Sequence, residues 1–249
     1  VLNKGSELII WDINQQKIDE TVKELSAIGK VTGYKIDVSN QQMVKECAEI
    51  VKKNHPSLDV LINNAGIVVG KFFHEHSYED INKTMKINAN APMYIAMEFL
   101  PDMIKRDSGY ICNIASSAGL ISNPKMSVYV ASKWAVLGWS DSLRIEMQQL
   151  KKNIGVTTVT PYYISTGMFD GVKSIVPILK PGTVAKKIIR AIEKKKVILS
   201  MPWSMHFVRF SQGLLPIPIS DLIVGKIMGI YKTMEYFKGH SNPSSNKEK

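Results

Sequence analysis

Short apolar runs alternate with longer amphipathic segments along most of this chain. The apolar runs predict strands at Glu7–Trp11, Val31–Ile36, Asp59–Ile62, Tyr110–Ile114, Val156–Val159 and Val197–Leu199. Apolar residues at helical spacing predict helices at Gln15–Ile28, Asn40–Asn54, Tyr78–Arg106, Ser127–Lys152 and Thr183–Lys195. Strict alternation of strand and helix indicates an α/β fold, with a doubly wound parallel sheet covered by helices on both faces.

The chain length of 249 residues allows one sizeable core, and no Pro-, Gly- or Ser-rich linker divides it. We therefore expect a single domain over residues 1–200, an amphipathic extension at 201–238 and a polar, disordered tail at 239–249. Cys47 and Cys112 fall in a predicted helix and a predicted strand. They indicate buried thiols in a reducing compartment.

Positive charge is concentrated near the C-terminal end. The net charge is +10, and residues 180–249 hold 13 Lys or Arg against 4 Asp or Glu, a balance of +9. Within 202–238 an apolar stripe at helical spacing is formed by Ile223, Ile227, Ile230, Tyr231 and Met234. Packing on its own domain is the ordinary explanation of such a stripe. Peripheral contact with a membrane is the alternative, favoured by the preceding Trp203, Phe207, Arg209 and Phe210. No run is long enough to span a bilayer, and no nucleic-acid partner is expected.

Polar and small residues follow several predicted strands, where ligands bind in parallel sheets. Asp12 can accept hydrogen bonds from both hydroxyls of an adenosine ribose and would repel a 2′-phosphate, which favours NAD over NADP. A helix cap is an equally suitable role for Asp12. Asp37 and Val38 are positioned to contact an adenine ring, but Asp37 is also suited to begin the next helix.

Two further segments are candidates for cofactor contact. The run Asn63, Asn64, Ala65 and Gly66 contains small residues that let the backbone approach a cofactor closely. An Asn side chain in this run can link neighbouring strands. After the fifth strand, the backbone near Ile164 and the hydroxyl of Thr166 can meet a nicotinamide carboxamide. An ordinary turn is the alternative for both segments. His74 and His76 have no third ligand candidate nearby, so no metal site is expected.

Ser116, Tyr129 and Lys133, with Asn88 upstream, are candidates for chemistry. A Lys four residues after a Tyr on a helix lies one turn further along the same face. Its ammonium and a cationic nicotinamide ring are expected to lower the pKa of the Tyr129 phenol from about 10, making it a usable acid or base. Ser116 could instead satisfy its own backbone, and Ser117 could replace it.

Three segments match the patterns of one family in order and spacing: Leu61–Gly66, Asn113–Gly119 and Tyr129–Lys133. They resemble the short-chain dehydrogenase/reductase family, over most of the chain. Trp11–Asn14 and Pro161–Phe169 are similar to the membrane-associated branch that contains retinol and hydroxysteroid dehydrogenases.

The resemblance implies a Rossmann-like, NAD-binding catalytic domain. In it Tyr129 is the acid/base, Lys133 lowers the Tyr129 pKa and binds the nicotinamide ribose, Ser116 orients the substrate oxygen, and Asn88 supports a proton-relay water. During oxidation, phenolate Tyr129 takes the alcohol proton while the carbinol carbon gives hydride to NAD. A homodimer or homotetramer built through the helices of Asn88 and Tyr129 is also implied.

The expected substrate is a lipophilic alcohol of retinoid, steroid or fatty-alcohol type, or its carbonyl, under an apolar cover formed by residues 167–181. The expected location is the cytoplasm-facing surface of an intracellular membrane or lipid droplet. A noncatalytic membrane-surface or scaffold protein with the same fold is the alternative function.

The chain departs from the family pattern in two places. Tyr162 stands where the family usually has Gly after Pro161. The family also opens with a strand, a Gly-rich turn and a helix that form the pyrophosphate site, and Val1–Gly5 resembles only their end. About 25 to 30 residues of that kind are expected before Val1.

Overall fold

Every strand pair in the described part of the chain is parallel. The computed structural model describes residues 1–55, 57–206, 213–227 and 229–239. Its strands are β1 Leu8–Asp12, β2 Val31–Lys35, β3 Val60–Asn63, β4 Gly109–Ile114, β5 Ile154–Pro161 and β6 Ile198–Met201. Strand β1 pairs with β2, and the other four pair in the order β3-β4-β5-β6. The predicted α/β class with a parallel sheet is confirmed.

Polar side chains define where several helices begin. The α-helices are α1 Gln15–Leu25, α2 Gln41–Asn54, α3 Tyr78–Met85, α4 Ala91–Arg106, α5 Ser127–Gln149, α6 Pro181–Glu193 and α7 Ile217–Ser220. The Asn14 side chain accepts a hydrogen bond from the Lys17 amide, and Asn40 accepts from the amides that open α2. These caps satisfy backbone donors that have no partner inside the helix.

The predicted helix Tyr78–Arg106 is divided in the structure. A π-helical turn, Lys86–Asn90, lies between α3 and α4. Pro92 lies two residues after Asn90 and has no amide hydrogen to donate, so regular α-helical bonding cannot continue through this point. The turn carries Asn88, whose side chain is buried. Wider turns of this kind often occur at functional sites.

Helices cover both faces of the four-stranded sheet. On one face Met103 of α4 and Leu143 of α5 pack against Ile111 of β4. On the other face Val184 of α6 packs with Val159 of β5. This arrangement confirms the doubly wound architecture, and it leaves the carboxyl ends of the strands open for a site.

The sheet is divided between β1 and β3. Ile9 and Trp11 of β1 and Leu61 of β3 pack around the same buried cluster, but no strand hydrogen bonds join the two strands. On β3, Val60 and Ile62 are 39% and 41% exposed. The resemblance implies one more strand, at the opening of the fold, and none of the described residues forms it.

The C-terminal extension does not form one continuous helix. A π-helical segment, Asp221–Ile227, follows α7, and Gly229 adopts a left-handed conformation with φ of 65° before a 3₁₀ turn at Ile230–Lys232. We call residues 229–238 the C-terminal strap. The predicted stripe is split, because Ile230 and Met234 are buried whereas Ile227 is 68% exposed.

Parts of the predicted extension and tail lie outside the described residues, namely Phe207, Arg209, Phe210 and 240–249. Among the helices that are described, none combines the length and apolar character needed to cross a bilayer.

Candidate active site

Tyr129 and Lys133 lie one turn apart on the buried face of α5. The Lys133 ammonium is 5.6 Å from the centre of the Tyr129 ring and donates a 3.0 Å hydrogen bond to the carbonyl of Ile114. The phenol forms a hydrogen bond with Ser116. The Ser116 hydroxyl also accepts from the Ala118 amide at 3.1 Å, so it serves its own turn as well. The structure therefore brings together the three side chains that the spacing predicted to be close.

Burial controls the protonation of this pair. It raises the pKa of Tyr129 to about 12, against the opposing effect of the Ser116 hydrogen bond. It lowers the pKa of Lys133 to about 8. The predicted lowering of the Tyr129 pKa by Lys133 is not found, because desolvation outweighs an ammonium that bonds to Ile114 instead of the phenol. At neutral pH the Tyr129 phenol consequently holds its proton.

Asn88 fixes the loop after β3 to α5. Its side-chain oxygen accepts from the Ile67 amide at 2.8 Å, and its nitrogen donates to the Ile67 carbonyl at 2.9 Å and to Ser132 Oγ at 3.1 Å. A single side-chain amide thus holds both the N–H and the C=O group of Ile67. Ser132 donates in turn to the carbonyl of Tyr129, which links Asn88 to the turn that carries the phenol.

Asn63 joins neighbouring strands, as the sequence predicted for an Asn at this place. Its side-chain nitrogen donates to Asn113 Oδ1 at 2.8 Å, between β3 and β4. Its oxygen is buried and has no hydrogen-bond partner among the described residues. Asn64 and Ala65 are exposed, and Gly66 lies beside Asn88 and Lys133.

The two acidic candidates lie in local turns. Asp12 is exposed at the end of β1 and accepts from the Asn14 amide at 2.8 Å, so Asn14, not Asp12, caps α1. Asp37 accepts from both the amide and the hydroxyl of Ser39 at 2.9 and 2.7 Å. Val38 is half-buried against the cluster around α2. Asp12 thus remains accessible for a ligand, whereas one oxygen of Asp37 is occupied by its own turn.

The loop after β5 is tied down at two points. Ile164 forms a parallel bridge with Leu179, and its carbonyl accepts from the exposed Thr166. Tyr162, the departure from the family pattern, forms a 2.8 Å hydrogen bond between its hydroxyl and Ser174. The unusual tyrosine therefore anchors the segment that follows the loop.

A cavity opens beside Ser116 and Tyr129. It is lined by Ser116, Ser117, Ala118, Ile121, Asn123, Met126, Tyr162, Tyr163, Phe169 and Ile230. The Phe169 ring meets the Tyr129 and Tyr163 rings edge-on, with centroids 6.0 and 4.9 Å apart. We call this cavity the substrate pocket; most of its lining side chains are apolar or aromatic.

The C-terminal strap forms part of the pocket wall, which sequence reasoning missed. Ile230 lines the pocket, and Phe237 packs on Phe169 with centroids 6.4 Å apart. Gly70 and Gly171 make room for the strap, since an added Cβ would meet Phe237 at 2.2 Å and the Tyr236 carbonyl at 2.0 Å. The apolar stripe was the available signal, but it did not indicate which face of the domain the strap covers.

The described residues fit the nicotinamide and adenosine-ribose parts of a dinucleotide. Asn63 presents an unpartnered buried oxygen, and Gly66 leaves open the space beside Asn88 and Lys133. The Lys133 ammonium has three donors and one described acceptor, the Ile114 carbonyl. Asp12 lies exposed at the end of β1, where a ribose carboxylate contact belongs.

The family model described as short chain dehydrogenase matches residues 1–175. This chain therefore belongs to the short-chain dehydrogenases, an oxidoreductase family, and the predicted family membership is confirmed. Within that family the chain is similar to the retinol dehydrogenases. Human epidermal retinol dehydrogenase 2 is 38% identical over 240 residues, which cover 94% of this chain and 77% of that protein.

Solved structures agree with the fold. A short-chain dehydrogenase/reductase from Burkholderia phymatum in complex with NAD has a TM-score of 0.75 and 23% identity, covering 88% of this chain and 85% of that one. A metagenomic short-chain oxidoreductase in complex with NADP has a TM-score of 0.60 and 28% identity, covering 64% and 73%. Both nicotinamide cofactors thus occur among enzymes of similar fold.

Proposed function

We propose that this protein is an NAD-dependent oxidoreductase that interconverts a lipophilic alcohol and its carbonyl, with Asn88, Ser116, Tyr129 and Lys133 as its catalytic residues. One observation carries the proposal. The buried Tyr129 phenol forms a hydrogen bond with Ser116, which lines the substrate pocket, and the Lys133 ammonium lies 5.6 Å from the Tyr129 ring. A proton donor and an orienting hydroxyl are thereby presented together to a substrate oxygen.

The protonation of the phenol defines the roles in reduction. With a pKa of about 12, Tyr129 holds its proton at neutral pH and can give it to a carbonyl oxygen held by Ser116. In oxidation the same oxygen must act as a base, so its pKa has to fall. When bound, the dinucleotide accepts or supplies the hydride, and its cationic oxidised ring favours the phenolate. Lys133 adds positive charge on the same side, and Asn88 holds the backbone against which a relay water would lie.

The choice of NAD is supported by Asp12. Its carboxylate is exposed at the end of β1, where it can accept from ribose hydroxyls and would repel a 2′-phosphate. The role of Asp37 and Val38 at the adenine, of Asn63, Asn64, Ala65 and Gly66 along the cofactor, and of Ile164 and Thr166 at the carboxamide is proposed on the same basis.

A lipophilic substrate is supported by the pocket lining. Ile121, Met126, Phe169 and Ile230 supply apolar surface, and the strap encloses it from one side. Burial of apolar area is the dominant driving force for binding such a molecule. The retinol dehydrogenase similarity makes a retinoid the first candidate, followed by steroid and fatty alcohols.

Peripheral contact with a membrane is supported by exposed apolar side chains around the C-terminal extension. They are Ile175, Ile178, Leu214, Ile217, Ile219, Leu222, Ile223 and Ile227. Lys226, Lys232 and Lys238 belong to the same region. Apolar residues flanked by lysines suit an anionic lipid surface, and they would place the pocket close to lipid-dissolved substrate. We therefore treat residues 1–200 as the catalytic domain and 201–238 as an extension, part of which packs on that domain and part of which contacts a membrane. The membrane surface proposed for this contact faces the cytoplasm.

A homodimer or homotetramer through α4 and α5 is supported by exposed apolar side chains on these helices. They are Met97 on α4, and Trp134 and Ile145 on α5. Such residues would be covered by the same face of a second subunit in a two-fold interface.

The experiment that tests the function is a substrate panel. Full-length protein is mixed with NAD or NADP and with retinol, monohydroxy steroids and long-chain alcohols, and reduced cofactor is followed by absorbance. We expect turnover of at least one lipophilic alcohol, faster with NAD than with NADP. Absence of turnover across the panel with both cofactors would overturn the proposal.

A further inference from the structure

A second polar cluster borders the substrate pocket, separate from the Ser116–Tyr129 pair. Asn123 and Tyr163 line the pocket, and Thr233 reaches both from the strap. Asn123 Nδ2 donates to Thr233 Oγ1 at 2.9 Å and to the Tyr163 hydroxyl at 3.2 Å. The two hydroxyl oxygens are 3.0 Å apart. None of these hydrogen bonds involves Ser116 or Tyr129.

The donors of this cluster are all used. Thr233 donates its hydroxyl proton to the Ile230 carbonyl at 2.8 Å, so toward its other neighbours it acts as an acceptor. The Tyr163 hydroxyl then donates to Thr233, and both amide hydrogens of Asn123 are engaged. Each polar atom of the cluster has a partner with one exception. Asn123 Oδ1 is buried and accepts no hydrogen bond from any described residue.

A buried amide oxygen without a donor is unfavourable, and such atoms in native proteins usually meet a ligand or a water molecule. Here the residue that carries it lines an otherwise mainly apolar pocket. The hydrogen bonds to Tyr163 and Thr233 fix the orientation of the amide, so its oxygen holds one position in the pocket wall. Its chemistry selects a partner that donates: a hydroxyl group.

We propose that Asn123 is a specificity-determining residue whose Oδ1 accepts a hydrogen bond from a second hydroxyl of the substrate, remote from the reacting one. Among the lipophilic candidates, the preferred substrates are then diols or hydroxy-carbonyl compounds, ahead of molecules with a single oxygen such as retinol. This inference rests on the proposed function, because it assigns the other end of the same pocket. It also gives the strap a role, since Thr233 holds the amide in place.

The test compares matched substrates. A monohydroxy steroid is compared with dihydroxy steroids of the same skeleton whose second hydroxyl occupies different positions, and a long-chain alcohol with the α,ω-diol of equal length, all with NAD. The expected result is a kcat/KM for at least one diol about tenfold above that of its single-hydroxyl partner, the amount typical of one good hydrogen bond. In Asn123→Ala that ratio should fall to within about twofold of unity.

Ser174→Ala is the matched control. It removes the hydrogen bond to the Tyr162 hydroxyl in the wall of the same pocket but leaves Asn123 and the partners of its amide in place, so the diol preference should persist even if the protein becomes less stable. Equal loss of preference in both variants would show that Asn123 acts only through structure, and would overturn the inference. Turnover of single-hydroxyl alcohols with no preference for any diol would also overturn it while leaving the proposed function intact. Absence of turnover with every substrate would overturn both the inference and the proposed function.

Discussion

The ammonium nitrogen of Lys133 lies 5.6 Å from the centre of the Tyr129 ring, and both side chains are buried. Burial acts on them in opposite ways, keeping the phenol protonated and making the lysine readier to lose its proton. Keeping an ammonium group buried costs folding free energy, and among the described residues its hydrogen-bond partner is the Ile114 carbonyl. Its retention in the core is expected of a residue kept for chemistry at the expense of stability.

That relationship predicts a pH-dependent stability difference for Lys133→Met. The pKa of Lys133 is about 8 in the folded protein, below its ordinary value of 10.5. Between these pH values the unfolded chain binds more protons than the folded one, so wild-type stability rises with pH across this window. At pH 7 the variant should be more stable by about 1 to 3 kcal/mol, the lost hydrogen bond offsetting part of the gain. The difference should shrink as pH rises from 8 towards 10.

Urea unfolding at several pH values measures this difference. Lys23→Met on the exposed face of α1 serves as the control and should show no such trend. A Lys133→Met variant that is less stable than wild type at pH 7, with a constant difference up to pH 10, would contradict a desolvated ammonium.

Asp12→Ser should shift the cofactor preference towards NADP. Removing the carboxylate removes its repulsion of a 2′-phosphate, and we expect the ratio of kcat/KM for NADP to that for NAD to rise about tenfold. Steady-state rates with both cofactors measure the ratio. Glu24→Gln on α1 removes one exposed negative charge elsewhere and should leave it unchanged. An unchanged ratio in Asp12→Ser would mean that this carboxylate does not approach the ribose.

Gly171→Ala should loosen the C-terminal strap. Gly171 has a φ of 84°, and a Cβ there would lie 2.0 Å from the Tyr236 carbonyl, so the substitution is strained by its own backbone as well as by the contact. Amide hydrogens of residues 229–238 should exchange faster by mass spectrometry, while those of β4 and β5 stay protected. Gly182→Ala, where a Cβ meets nothing within 4 Å, is the control. Unchanged exchange in the strap of Gly171→Ala would contradict its packing on this loop.

Exposed apolar side chains of the extension should contribute to membrane binding. Replacing Ile217 and Ile227 by Ser should reduce flotation with anionic liposomes severalfold, because each removes apolar surface from the lipid contact. Ile28→Ser and Ile50→Ser, which change exposed isoleucines far along the chain, form the control pair. Equal flotation of the two double variants would argue against membrane contact through the extension.

Local pattern was enough to predict most of the fold. Strand ends lie within two residues of their predicted positions, because a buried parallel strand is a short apolar run with clear limits. The closeness of Ser116, Tyr129 and Lys133 also followed from spacing, since helical periodicity and strand ends fix their positions. The π-helical turn at Asn88 was missed because it depends on how the residues before Pro92 share their hydrogen bonds.

Long-range relationships could not be predicted in this way. Asn123 and Thr233 are 110 residues apart in the chain, and no periodicity reports their contact. The protonation of Tyr129 in the absence of cofactor could not be predicted for a similar reason. Spacing shows that an ammonium is near, but only packing shows that both groups are desolvated and that the ammonium bonds to Ile114.

The most direct test of the account is the rate of alcohol oxidation by Tyr129→Phe. The change removes one hydroxyl that bonds to Ser116 and keeps the ring packed against Phe169, so the fold should persist. We predict a loss of kcat/KM of at least about a hundredfold, with Tyr78→Phe, an exposed tyrosine, equal to wild type. If Tyr129→Phe turned over substrate at the wild-type rate, Tyr129 would not be the proton-transfer group, and the account would fail.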